Sequence, residues 1–381
     1  MKPNVVVVFG GESVEHDISI ITGVQTINAI NKQKYNVIPL YIDKVGRWLT
    51  SSDFFSVDNF TNEKTIKKAK EISFINNSKH LFLKTKIGLK KWHLIDSIVL
   101  CCHGGKGENG AIQGFFEVLN IPYTSPNVVS SAICLDKIIS KKVLKESGVP
   151  VLDYLALNKK DYENNYDSCL KMVEEKLGFP VILKPANLGS SIGITICKTK
   201  KKFKEGLEFG FKFDDNILVE KFVTALKEVN VSVLKYDDFC FLSKTESPTF
   251  TKDYLSFEDK YLSNKKKTAG NFRNIPADID KETENKILKI SKQACDVLEI
   301  SGLIRIDFIV DTKSNEVYLN EVNTIPGSLA NYLWKGKFDF PSLIDKMIEG
   351  SKKNFENQKR LIKSFESSVL KRNSNTKKLK V

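Results

Sequence analysis

Between residues 302 and 323, two apolar-rich runs flank the polar stretch Asp311-Thr312-Lys313-Ser314-Asn315. The first run is Gly-Leu-Ile-Arg-Ile-Asp-Phe-Ile-Val and the second is Glu-Val-Tyr-Leu-Asn-Glu-Val-Asn. Such runs around a polar turn read as a β-hairpin. Side chains alternate along a strand, so Arg305 and Asp307 share one face while Ile304, Ile306 and Phe308 share the other. Glu321 and Asn323 likewise share a face. With the turn centred on Ser314, Asp307 lies opposite Glu321 and Arg305 opposite Asn323. A slip of one residue would send these side chains to the other face. Two carboxylates and an amide oxygen set opposite one another repel unless a cation sits between them. Hard oxygen donors of this kind suit Mg²⁺ shared with phosphate groups. The competing reading is a solvated charged face. The apolar residues behind the carboxylates and the closing Thr324-Ile325-Pro326-Gly327 weigh against it.

The 381 residues are too many for one ordinary core and imply two or three units. The chain opens with an apolar run over residues 5–9, the turn Gly10-Gly11-Glu12-Ser13, a helix from about Asp17 and a strand over 36–42 ending at Asp43. This is a βαβ beginning, which predicts a parallel sheet. Asp43 stands where a ribose-binding acid would sit in a dinucleotide fold. The glycine fingerprint for such a fold is missing, so Asp43 reads as a strand terminus. Residues 50–92 are polar, weakly patterned and read as an insertion. A strand over 97–102 leads into His103-Gly-Gly-Lys-Gly-Glu-Asn-Gly, and the first unit closes near residue 129. A helix over 130–148 opens a central unit, 130–223, which holds a strand over 180–185 and the small-residue loop 187–193. A third unit, 224–350, contains the hairpin, and a helix from about Pro341 leads into a basic tail, 351–381.

Composition excludes several classes. The net charge of +13 invites a nucleic-acid reading, but the tail alone carries ten Lys/Arg against two Glu. A basic terminus of this kind is a solvated extension, and no binding stripe appears elsewhere, so nucleic-acid binding is not expected. No apolar run approaches the roughly 18 residues of a spanning helix, and the opening run is too short for a signal peptide. The expectation is a cytoplasmic protein without a membrane segment. Seven cysteines without a Cys-x-x-Cys pair and four histidines without zinc spacing read as reduced, structural residues.

Lys184 ends a strand and precedes Gly189-Ser190-Ser191-Ile192-Gly193. Small residues let backbone N–H groups approach a phosphate, and the lysine adds a point charge. On its own this pattern fits a plain flexible hairpin equally well. It is not a Walker loop, because the lysine comes before the glycines.

Taken in order, the motifs resemble those of the D-alanine–D-alanine ligases. They are Gly10-Gly11-Glu12-Ser13-Val14-Glu15-His16-Asp17, the His103–Gly110 stretch, Asp136-Lys137, Lys184-Pro185, the 189–193 loop, Glu220-Lys221, Lys260-Tyr261-Leu262-Ser263, Arg305-Ile306-Asp307 and Asn320-Glu321-Val322-Asn323. The resemblance covers residues 5 to about 327. It implies an α/β ATP-grasp fold behind an N-terminal Rossmann-like, parallel-sheet domain, and it implies a homodimer. It also implies ATP, two Mg²⁺ ions (with Mn²⁺ as a substitute) and D-alanine as substrate. Lys137 and Lys184 would bind phosphates, Ser191 and Lys260 would contact ATP, while Glu220, Lys221 and Val223 would line the adenine pocket and Glu228 would meet the ribose. Asp307, Glu321 and Asn323 would coordinate the metal ions. Glu15 would hold the first amino acid's ammonium group and form a hydrogen-bonded set with Ser190 and Tyr261. His103, Gly327 and Ser328 would border the substrates, and Arg305 would stabilise negative charge as the reaction proceeds. The polar segment 249–263 is the lid expected to exclude water.

The chain departs from the family pattern after Gly327. Most members continue with a Phe/Met-Thr pair and then a serine that meets the second substrate's carboxylate. Here the segment is Ser328-Leu329-Ala330-Asn331-Tyr332-Leu333-Trp334, and Tyr332 occupies the serine's place. The alternative expectation is therefore a ligase of the same fold with another second substrate, such as D-serine. Tyr261 favours an amide over an ester product, since lactate-using relatives tend to carry phenylalanine there. A regulator that had lost catalysis would show a damaged metal or arginine set. Arg305, Asp307, Glu321 and Asn323 are all present.

Overall fold

The computed structural model describes residues 2–248 and 273–367, and its strands form three sheets. The first contains β1 (Asn4–Gly10), β2 (Asn36–Ile42), β3 (Trp48–Thr50), β4 (Lys70–Ser73), β5 (His80–Thr85), β6 (Gly88–Leu94) and β7 (Ser97–Leu100). Their order is β6-β5-β4-β3-β2-β1-β7. β1 runs parallel to both β2 and β7, as the βαβ beginning requires, with helix His16–Ala29 as the crossover. Val5 through Phe9 are fully buried, so β1 reads as a continuous apolar run and not as an alternating one. The stretch 50–92 is more ordered than its sequence implies. It builds an antiparallel wing on the same sheet through β4, β5 and β6. Only a few of its side chains, among them Phe54, Ile72 and Leu81, are buried, too sparse a set to leave a period.

The second sheet contains β8 (Tyr154–Asn158), β9 (Val181–Pro185), β10 (Thr195–Cys197) and β11 (Asn216–Lys221), antiparallel throughout in the order β10-β9-β11-β8. The single helix expected over 130–148 is two helices, Val128–Leu135 and Lys137–Glu146. Asp136 separates them, with an extended backbone and a carboxylate that accepts the N–H groups of Ile138 and Ile139 at 2.9 and 3.0 Å. This is an N-cap, and it sets Lys137 at the first position of the second helix.

The third sheet contains β12 (Leu226–Tyr236), β13 (Phe239–Pro248), β14 (Arg273–Asn274), β15 (Gly302–Asp311) and β16 (Val317–Asn323), in the order β14-β13-β12-β15-β16. One face carries Val229, Val231, Val233, Ile304, Ile306 and Phe308 into a core with Ile287 and Ala294 of helix Lys281–Val297. The opposite face carries the polar residues. The expected pairs are present, Arg305 with Asn323 and Asp307 with Glu321, but a bulge between Asp307 and the turn shifts the rest by one residue, so Phe308 meets Leu319 and not Asn320.

Helix Phe340–Lys359 begins where expected, capped by Asp339, but continues well past residue 350 into what charge alone assigned to the tail. Ser351 is buried and Asn354 donates to Ser301 Oγ at 3.1 Å, so packing extends beyond the compositional boundary. The first and third sheets share one hydrophobic core, which joins β1 to Leu303, Trp334, Leu343 and Met347. Tyr236 donates to the Thr124 carbonyl at 3.0 Å across that junction. No helix among the described residues is long and apolar enough to cross a membrane.

Candidate active site

The polar face of the third sheet brings four expected residues together. Arg305 grips Asp307 with two parallel bonds, Nε to Oδ1 at 2.6 Å and Nη2 to Oδ2 at 2.7 Å. Asn323 donates to Asp307 Oδ2 at 3.1 Å, and an amide flip would present its oxygen instead. Lys137 Nζ lies 3.9 Å from Glu321 Oε2. Burial opposes the Arg305 charge, but Asp307 outweighs it and holds the guanidinium protonated well above its usual range. In the structure, cationic side chains meet the two carboxylates. Two carboxylates in register beside an amide are the donor chemistry a divalent cation needs, so these residues fit Mg²⁺.

The 187–193 loop is held against the first unit. Ser190 Oγ donates a short hydrogen bond to Glu15 Oε1. A Cβ on Gly189 would meet Glu15 Oε2 at 2.8 Å, and one on Gly104 would meet it at 2.7 Å. The carboxylate is therefore wedged between two glycine backbones, and any larger residue there would displace it. Ser190 and Ser191 adopt left-handed φ values of 53° and 60°, an uncommon conformation for side-chain-bearing residues. Such outliers in a loop between two units are consistent with a functional constraint.

Two lysines converge on a fully buried carboxylate. Glu220 is bound by Lys141 at 2.7 Å and by Lys184 at 2.6 Å. Burial alone would raise the Glu220 carboxyl, but the two lysines override it and hold it at about 2. Burial likewise works against the Lys184 charge, and Glu220 more than compensates, keeping the ammonium above its ordinary range. Lys184 also donates to Asn320 Oδ1 at 2.9 Å, which ties the second sheet to β16. Lys141 was not legible as a site residue, because a lysine on a polar helix reads as solvated. Here it is 2% exposed. Lys221 follows on β11 and is exposed, and Val223 lies in the connection to β12. Glu228 lies on β12, where its carbonyl accepts Ser247 Oγ at 3.1 Å. The whole of the expected lid, 249–263, with Lys260 and Tyr261, falls outside the described residues.

The turn after β16 docks on the first unit. Thr22 Oγ1 accepts the Ser328 N–H at 2.9 Å and lies 2.9 Å from His103 Nε2. Burial pushes His103 down to about 4, so the ring is neutral at pH 7. Ser328, Leu329 and Ala330 are all left-handed, with φ between 46° and 52°. A Cβ on Gly327 would meet nothing within 4 Å, so its backbone faces open space. Glu108 was quoted in a motif without a role, and it proves to be the link between these segments. Its Oε1 accepts from Ile325 N at 3.0 Å and from Thr324 Oγ1 at 3.3 Å, and its Oε2 accepts from Gly104 N at 2.7 Å. Burial and the nearby Glu15 charge raise it to about 7.

The comparisons with known proteins agree with this arrangement. Residues 4–126 match the family model described as D-ala D-ala ligase N-terminus, and residues 143–349 match D-ala D-ala ligase C-terminus. The D-alanine–D-alanine ligase of Thermosipho melanesiensis is 40% identical over 372 residues, covering 97% of this chain and 98% of that protein. That of Staphylococcus epidermidis is 35% identical over 368 residues, covering 94% and 98%. Among solved structures, the D-alanine–D-alanine ligase of Coxiella burnetii has a TM-score of 0.79 at 27% identity, covering 95% of this chain and 98% of that one. The VanG D-Ala:D-Ser ligase of Enterococcus faecalis has a TM-score of 0.77 at 26% identity, covering 92% and 99%. The chain belongs to the D-alanine–D-alanine ligase family of ATP-dependent ligases.

Proposed function

We propose that the chain joins two D-alanines into D-alanyl-D-alanine through a D-alanyl phosphate, as a step in supplying peptidoglycan precursors. The observation that carries this reading is the register that sets Asp307 opposite Glu321 beside Arg305, with Lys137 and Lys184 facing them from the central unit. A carboxylate is a poor electrophile toward an amine, since oxide would have to leave. Attack of the first D-alanine carboxylate on the γ-phosphoryl group of ATP releases ADP and installs phosphate as a leaving group. Lys137 and Lys184 screen the phosphates from the incoming anion, and Mg²⁺ on Asp307, Glu321 and Asn323 would neutralise the charge they share. Ser191 adds a polar contact to the phosphates. Glu15, fixed by Ser190, anchors the first ammonium group, and Tyr261 completes that set. The second amine, once it has given up its proton, attacks the acyl carbon. Arg305 and the backbone near Gly327 stabilise the tetrahedral oxyanion before phosphate leaves. His103 and Ser328 border the substrates, while Lys260 reaches the phosphates from the lid.

Glu220, Lys221 and Val223 would frame the adenine and Glu228 the ribose. The full burial of Glu220 between two lysines favours a supporting role for its side chain. The division into units 1–129, 130–223 and 224–350 is supported by the three sheets, each of which falls within one of them. Cytoplasmic residence and a homodimer belong to the same reading and rest on the family resemblance. The second reading, D-serine as acceptor, is favoured by Tyr332 standing in place of a serine. A coupled ADP assay with Mg-ATP and a panel of D-amino acids separates the two readings. Folded protein that binds ATP but shows no D-alanine-dependent ADP release would overturn the first.

A further inference from the structure

His16 stands beside Glu15 in the first motif and has no part in the ammonium, metal or phosphate assignments. It is the first residue of helix His16–Ala29 and is 3% exposed. Its ring bridges two elements: Nδ1 lies 2.6 Å from the Gly11 carbonyl and Nε2 lies 3.0 Å from the Tyr41 hydroxyl. A carbonyl can only accept, so Nδ1 carries a proton, and the neutral ring then offers Nε2 as an acceptor for the Tyr41 O–H. Tyr41 lies on β2, packed edge-on against Phe54 and Phe60. Burial and the charges of Asp43 and Asp17 push its hydroxyl up to about 12, so it keeps the proton that it donates.

The consequence falls on the turn that carries Glu15. The Gly11 N–H donates at 2.7 Å to the carbonyl of Ile42, the residue after Tyr41 on β2. Both backbone polar groups of Gly11 are therefore held from β2, the N–H directly and the carbonyl through His16. Gly10 and Gly11 take φ values of 90° and 105°, a conformation that favours glycine. Beyond this anchor the turn is exposed at Glu12 and Val14. The Glu12–Lys106 ion pair lies on the surface, where such pairs contribute little. Ser13 supplies local bonds: its carbonyl accepts the His16 N–H at 3.2 Å, and its Oγ accepts the Glu15 N–H at 3.0 Å. The His16 ring joins the start of the turn to the residue after Glu15 and closes the turn on the sheet. Since the Glu15 carboxylate is wedged between Gly104 and Gly189, a shift of the turn would move it out of that seat.

We propose that His16, oriented by Tyr41, is a positioning residue that holds the Gly11–Glu15 turn in the shape that presents the Glu15 carboxylate to the donor amino acid. The proposal rests on the ligase reading and deepens it by assigning the group that sets Glu15. Steady-state ADP release, with D-alanine varied widely enough to resolve donor and acceptor KM, tests it in His16→Phe and His16→Asn. Phenylalanine keeps the ring volume and loses both bonds, whereas asparagine loses volume but can place an amide N–H where Nδ1 stood. If His16 only filled space, His16→Phe would be the milder change. Positioning predicts the reverse order. Donor KM should rise about threefold to tenfold in His16→Phe, the scale of one neutral hydrogen bond, and return toward wild type in His16→Asn. Acceptor KM, ATP KM and kcat should stay near wild type in both. Donor KM unaltered in His16→Phe, or raised further in His16→Asn, overturns the proposal, as does an equal loss in every parameter. If His16→Phe does not fold, Tyr41→Phe decides, since it removes only the hydroxyl: a selective rise in donor KM supports the proposal and an unchanged value overturns it. The wild-type protein is measured first. No D-alanine-dependent ADP release there removes the ligase reading, whereas wild-type turnover with an unmoved donor KM in the variants removes this proposal alone.

Discussion

Replacing Lys141 with methionine should destabilise the central unit far more than a lysine substitution on a polar helix ordinarily does. The Glu220 carboxylate has no exposed surface and sits between Lys141 and Lys184. Holding a carboxyl at about 2 in place of its usual 4.5 corresponds to about 3 kcal/mol of stabilisation. Removing one partner of a buried ion pair costs about 3 to 5 kcal/mol in general, which agrees. Lys184 stays in contact with Glu220, so the lower end of that range, about 3 kcal/mol, is the expectation for Lys141→Met. Urea unfolding followed by circular dichroism reads it. Lys141→Met with Glu220→Met should destabilise less than the two single changes combined, by more than about 1 kcal/mol. A folded pKa below the unfolded one means this stabilisation is complete above pH 4.5 and disappears as pH falls toward 2, so the variant should lose little more in acid. With Glu220 left to Lys184 alone, that lysine is drawn from the phosphates and KM for ATP should rise. A Lys141→Met protein within about 0.5 kcal/mol of wild type at neutral pH, or no coupling to Glu220, would refute the clamp.

Glu321→Gln should abolish most ADP release while moving the urea midpoint little; activity near wild type would show that Glu321 holds no metal. Gly189→Ala places a Cβ 2.8 Å from Glu15 Oε2, so donor KM should climb while the protein stays folded. Glu108 is raised to about 7, so the folded state binds the extra proton, and stability should fall as pH rises from 4.5 through 7. Thermal melts across that range should flatten in Glu108→Gln. Cutting the chain after Gly350 severs helix Phe340–Lys359 and should lower the melting temperature.

The hairpin was legible in detail because three constraints agreed there: alternation, a short polar turn and a charge pattern that makes sense in one register only. Nearer the turn Phe308 pairs with Leu319, one residue off the register centred on Ser314, and the bulge between Phe308 and Asp307 restores it, so the functional pairs met as expected although the turn-side pairs did not. The wing over 50–92 was not legible, since its buried residues sit singly among lysines on short strands. The Asp136 break was hidden because helical residues continue directly on both sides of it, and only the carboxylate turned back on Ile138 and Ile139 separates the two helices. Lys141 escaped because a charged residue reads as solvated until the fold supplies its burial and its partner, and that partner is distant in sequence. Tail composition marked a change of charge at residue 351, but the helix runs on because Ser351 is buried and Asn354 bonds Ser301, contacts that charge does not reveal.

The left-handed turn over 328–330 bears on how the chain can be divided. Each side-chain-bearing residue in that conformation costs about 1 to 2 kcal/mol relative to its preferred state. That cost is offset by the bond from Ser328 N to Thr22 and by the burial of Leu329 and Ala330 in a core shared with β1. The acceptor of that bond and the β1 part of that core come from the first hundred residues. A fragment starting after residue 129 would keep the sequence of the turn and lose the reason for its shape. The turn at the end of β16 therefore takes its form from the first unit, and separately expressed halves should recover that form only when they are brought back together.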